Sequence, residues 1–238
     1  MFQIGIFDML FVVGEGFFGT TVLTEHHLFG FTEYVVIPIK SASWQTSIAL
    51  HFLLALNRVS VMSGVKITAK VYAFLYALVY LYGLFYFVCF VSRLCPIVIV
   101  HDYGTYYDLS TPFANFVQQS EYYSDFALSI ATFLCYVLSV LNLLKQKRNS
   151  LAKKASWNEI RILIQFFVLF ASTAVLELLW MFGFDILPES VWTGVTINCL
   201  VIIHSGWVCP ILCLVFNRTI RNGLILRKTS TVSLRQVT

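Results

Sequence analysis

The sequence predicts an all-α membrane protein: one bundle of transmembrane helices over residues 1–217, then a cytoplasmic tail over residues 218–238. Three observations predict it. Of 238 residues, 58% are hydrophobic and 12% charged, whereas a soluble domain carries about 25% charge. A chain this size has no water-facing core able to hide that excess, and its mean hydropathy is +0.79. Next, six apolar runs reach the roughly 20 residues a helix needs to cross the hydrocarbon. Finally, the basic residues fall almost entirely on one side of those runs. A soluble enzyme, a disordered regulator and a nucleic-acid-binding domain are excluded.

Each run is justified in turn. Phe2–Leu23 has no basic flank, and Asp8 and Glu15 interrupt it, so it is a span rather than a cleavable signal. Tyr34–Met62 ends in the stretch HFLLALNRV. Thr68–Val91 is the most uniform, an unbroken series of tyrosines, leucines and valines. A loop from about Ser92 to Tyr123, rich in aromatic and acidic residues, leads to Ser124–Leu144. Ile160–Phe184 follows a basic loop, and Val191–Phe216 contains Pro210, which removes a backbone donor and kinks its helix. None of the runs alternates polar and apolar as barrel strands do. Beyond Asn217, basic residues mix with Ile220, Leu224 and Ile225, the pattern of a short amphipathic helix on the inner leaflet. Thr229, Ser230, Thr231 and Ser233 then offer hydroxyls for phosphorylation.

Charge sets the orientation. Fourteen of the 16 Lys and Arg residues lie in the loops after the second and fourth runs or after the sixth, and eight of the 12 acidic residues lie on the other side. The basic side is cytoplasmic by the positive-inside rule. Both termini are then inside. Lys40 and Arg93 are the exceptions.

Catalytic constellations are absent from the sequence. His26, His27, His51, His101 and His204 have no metal-ligand spacing, and there is no P-loop or GxSxG elbow. Most of the six cysteines lie in apolar runs as small hydrophobes; Cys95, in the long loop, is placed for a disulfide without an evident partner. Neither enzyme activity nor a cofactor or metal is expected. Charged residues inside spans are candidate functional positions. Asp8 is an internal polar position, Glu177 is placed to face an outer cavity, and Lys40, near Trp44 and Gln45, is placed to meet an acidic ligand. For each, pairing with a neighbour or snorkelling is an equal alternative. Arg58, after Asn57 at the inner end of the second run, either snorkels or pairs with Glu159 to latch two helices.

ALNR at an inner helix end, a basic loop leading to NEIRILIQFF, and a proline-containing last run ending in FNRTIR occur here in that order. Together they resemble the nematode serpentine chemoreceptors, divergent seven-helix G-protein-coupled receptors such as the Srx and Srt classes. The resemblance extends from GIFDML to NRTIR and implies that the six runs match family helices two to seven. It places Asn57 and Arg58 at the Asp/Glu-Arg-Tyr motif, Pro210 at the last-helix proline and Asp8 at the acidic position of helix two. It implies a GPCR-like bundle in the plasma membrane of sensory cilia and a heterotrimeric G protein as partner. A small-molecule ligand would sit near Lys40, Trp44, Gln45, Glu177, Trp180 and Trp192. Departures are the absent first helix, Cys209 and Cys213 where the pattern has asparagine and tyrosine, and a fifth run without proline. The competing expectations are a transporter or channel subunit, or a truncated receptor remnant without function.

Overall fold

The computed structural model describes residues 2–24, 31–100, 104–148, 157–188, 190–208, 211–212 and 215. They form helices α1 (Phe2–Thr24), α2 (Phe31–Ser63), α3 (Ala69–Val91), α4 (Pro112–Arg148), α5 (Trp157–Ile186) and α6 (Val191–Ile203). A hairpin of β1 (Ile97–Val100) and β2 (Gly104–Tyr107) sits between α3 and α4. In lipid only intrahelical bonding satisfies an isolated backbone segment, so the apolar runs become helices. Five of them are long and apolar enough to cross a membrane, and the chain is a multi-pass helical membrane protein. The sixth, described over Trp192–Val208, is apolar but shorter.

Helix α2 is the axis of the bundle, packed against α1, α3 and α4. Its small residues permit this. Ala42, Ser43, Thr46, Ser47 and Ala49 are all buried, and small side chains let membrane helices approach closely. Neighbouring glycines complete the fit. A Cβ on Gly14 of α1 would lie 2.5 Å from the Lys40 Cβ, and one on Gly83 of α3 would collide with the Thr46 hydroxyl. Leu50, Leu53, Val79 and Leu169 fill the middle, while Ala55, Tyr136, Leu163 and Phe166 fill the basic end. Phe74 and Leu81 of α3 and Leu134 and Leu141 of α4 face outward, which suits a surface solvated by lipid.

Two boundaries differ from the sequence expectation. Helix α4 begins at Pro112, well before Ser124. The Thr111 hydroxyl caps it by accepting from the Ala114 N–H at 3.1 Å, and Asp108 accepts from the Ser110 N–H at 3.0 Å. Proline suits the first helical position, where an N–H would have no partner. The extra turns escaped notice because Gln118, Gln119 and Glu121 make them too polar for an apolar run. The loop also holds the hairpin, with register Ile97↔Tyr107 to Val100↔Gly104.

At the other boundary, α6 passes into a π-helical turn at His204–Val208. Pro210 itself and the amphipathic tail over 218–238 lie outside the described residues.

Cys95, expected to be free for a disulfide, is fully buried as a thiol that points to the Ala114 carbonyl at 3.8 Å. Burial and the nearby Glu121 charge push that thiol up to about 12.

Candidate functional site

A cleft with a cavity volume of about 80 Å³ lies at the hairpin end of the bundle, walled by α1, α2, α4, α5, α6 and the hairpin. Its walls include Lys40, Trp44, Trp180, Tyr107 and Glu121. Aromatic walls around a few polar groups are the usual make-up of a small-molecule site, although the cavity is smaller than the usual range of about 300–1,000 Å³.

Lys40 was expected either to meet an acidic ligand or to pair with a neighbour. Its ammonium lies 2.8 Å from Glu15 of α1, with both side chains almost wholly buried. It also stands 4.6 Å above the Phe18 ring and 5.9 Å from the Phe11 ring. The close approach at Gly14 brings the two helices together at this level. Pairing wins because an isolated charge in a dry interior is costly.

Trp44 donates its indole N–H to Glu177 Oε1 at 2.6 Å and packs against Phe11, ring centroids 5.2 Å apart. Gln45 lies behind the wall, completely buried. Its amide donates to Glu121 and, at 2.9 Å, to Asp125, while its carbonyl accepts from the Tyr82 hydroxyl at 3.0 Å. Tyr82 also meets the Ser124 hydroxyl at 2.7 Å. Tyr107, stacked on Phe90 with 5.8 Å between centroids, donates its hydroxyl to Glu121 and pins the hairpin over α4. Burial and the Glu121 charge push the Tyr107 hydroxyl well above its ordinary range, so it remains a donor.

Trp180 lines the cleft, but Trp192 does not; it is 78% exposed. Helix geometry explains the correction. Ile197 and Val201 are the buried face of α6, and Trp192 is five residues from Ile197, about 140° round the helix.

Sequence reasoning missed Glu121, Asp125, Tyr82 and Tyr107. Glu121 was counted as a loop residue because α4 was started too late, and Asp125, inside the run, was counted only as an acid of the outer side. A helical period was the available signal: Val117, Asp125, Thr132 and Ser139 share the buried face of α4, with Glu121 one turn from two of them.

Deeper in the bundle, Asp8 accepts from the Ser47 hydroxyl at 3.1 Å. His51 and His204 are buried, and His204 Nε2 meets the Ser172 hydroxyl at 2.9 Å. Among the described residues, no group of His, Cys, Asp and Glu is arranged to hold a metal ion.

At the basic end, Asn57 accepts from the Tyr72 hydroxyl of α3 at 3.0 Å. The Arg58 guanidinium lies 4.7 Å over the Phe166 ring of α5. Its Nε and the Tyr136 hydroxyl are both buried without a hydrogen-bond partner among the described residues. Glu159 is in the first turn of α5, but its side chain is outside the described residues. At this end of the bundle Arg58 links α2 to α5 by stacking on Phe166.

No protein-family model matches the chain, and no curated protein matches it.

Proposed function

We propose that the chain is a chemosensory receptor of the serpentine, G-protein-coupled kind, which binds a small molecule in the hairpin-end cleft and signals at its basic end. The cleft is the observation that carries the reading. It is aromatic and lined by polar side chains already fixed by partners. The order of ALNR, NEIRILIQFF and FNRTIR supports the same reading, as does a basic end on which a heterotrimeric G protein can dock. In this proposal the last helix completes a sixth span, the bundle is GPCR-like, and the protein works in the plasma membrane of sensory cilia.

Arg58 would be the moving part. Its Nε and the Tyr136 hydroxyl lack partners among the described residues, and a buried unsatisfied group costs about 1–3 kcal/mol. A conformer that parts α2 from α5 would expose the arginine to a docking protein. Ligand can favour that conformer only through differential affinity.

Expression in a cell line that reports G-protein activation, challenged with a panel of small organic compounds, tests the proposal. A compound response is expected, and Arg58→Ala should abolish it while leaving compound binding largely intact. An equal response from wild type and Arg58→Ala would remove the arginine from the mechanism.

A second reading, a transporter or channel subunit, draws on the polar groups below the cleft, half-buried Asp8 and buried Ser47, His51 and His204. Intramembrane ionisable residues often mark such pathways. Solute flux in proteoliposomes without any G protein would favour it.

A further inference from the structure

We infer that the cleft is specific for an organic cation, a primary or secondary amine carried on a small apolar or aromatic body. The inference rests on the cleft being a ligand site, as proposed above.

The cleft already binds one ammonium group, its own. Lys40 is held by a carboxylate, Glu15, at 2.8 Å and by the faces of Phe18 and Phe11 at 4.6 and 5.9 Å. Carboxylate plus aromatic face is what recognises an alkylammonium, through a charge-assisted contact and the ring quadrupole. The rest of the lining repeats those ingredients without a cation: the Glu121 carboxylate, with Trp44, Trp180 and Tyr107.

Charge balance points the same way. Lys40 is the one described cation in the lining, and its charge is matched by Glu15. Arg93, the other cation on the hairpin side, is stacked on the Tyr34 ring at 4.8 Å and is not in the lining. Glu121 is held by neutral donors alone, the Tyr107 hydroxyl and the Gln45 amide. Its carboxyl oxygens, with the aromatic faces beside them, offer acceptors to an ammonium N–H and none of the donors an anion needs.

Full-length protein in nanodiscs, titrated by tryptophan fluorescence with phenethylamine, phenylacetate and 2-phenylethanol, tests this. The three probes share an aromatic body and differ in charge. Phenethylamine should bind saturably and at least about ten-fold more tightly than the other two, the size expected for a charge-assisted contact. Glu121→Gln should weaken it by a similar factor, and Trp180→Ala, at a half-exposed position, should weaken it without touching the carboxylates. Tighter binding of the acid or the alcohol would overturn the cation inference and leave the cleft reading standing. Amine binding that survives Ser41→Trp, which fills the cleft, would overturn the inference by placing the site elsewhere. Binding of none of the three up to millimolar concentration would overturn the inference and count against the cleft as a ligand site as well.

Discussion

At the scale of single residues, the chain spends its few charges inside the bundle in partnerships rather than leaving them for solvent. Lys40 and Glu15 are the clearest case, almost wholly buried and 2.8 Å apart. Removing one partner of such a pair strands a charge in a dry site at a cost of about 3–5 kcal/mol, whereas an apolar replacement of both is often near neutral. Lys40→Met should therefore lower the thermal midpoint in detergent sharply, and Lys40→Met with Glu15→Leu should recover most of it. Cys95 carries a second prediction. It is completely buried and its thiol is pushed up to about 12, so at pH 8 almost none of it is thiolate. A variant keeping Cys95 alone should resist maleimide in the native state and react on denaturation. Rapid native labelling would mean that the hairpin does not cover it.

At the scale of elements, the polar start of α4 is the feature that makes the site. Pro112 to Tyr123 continue the helix outward and carry Glu121 to the cleft. Amide hydrogen exchange checks this directly: residues 116–123 should be protected like the rest of α4, and fast exchange up to Ser124 would contradict it. Helix contacts are equally specific. Gly83→Val should destabilise the bundle, since even a Cβ there collides with Thr46, and overpacking costs about 1–3 kcal/mol.

These elements also show what the sequence made legible. The apolar runs marked the helices because composition and length alone govern crossing a membrane. Lys40, Trp44 and Trp180 were found because charged and aromatic side chains in an apolar run need a reason. Glu121 and Asp125 were not, because a hydropathy window averages over a helix and cannot see one polar face. Glu15 was seen, but its meeting with Lys40 depends on the approach of α1 to α2 at Gly14, a tertiary fact without a local signature. Trp192 misled for the converse reason: an aromatic near a helix end serves an interface as readily as a pocket.

At the scale of the whole molecule, a cleft lies at one end and a partly unsatisfied arginine at the other, and α2 connects them. Lys40, Trp44 and Gln45 belong to the cleft end of α2, while Asn57 and Arg58 belong to its basic end. A ligand that shifts α2 against α5 acts on both at once, and this physical continuity is what the receptor proposal requires. The measurement that tests it most directly is nucleotide exchange on a purified heterotrimeric G protein by the nanodisc-reconstituted chain, with an organic-compound panel and Ser41→Trp as the filled-cleft control. The account predicts compounds that drive exchange with wild type and fail with Ser41→Trp. Exchange that stays at the level of empty nanodiscs across the panel, while solute crosses proteoliposomes containing the chain, would contradict it.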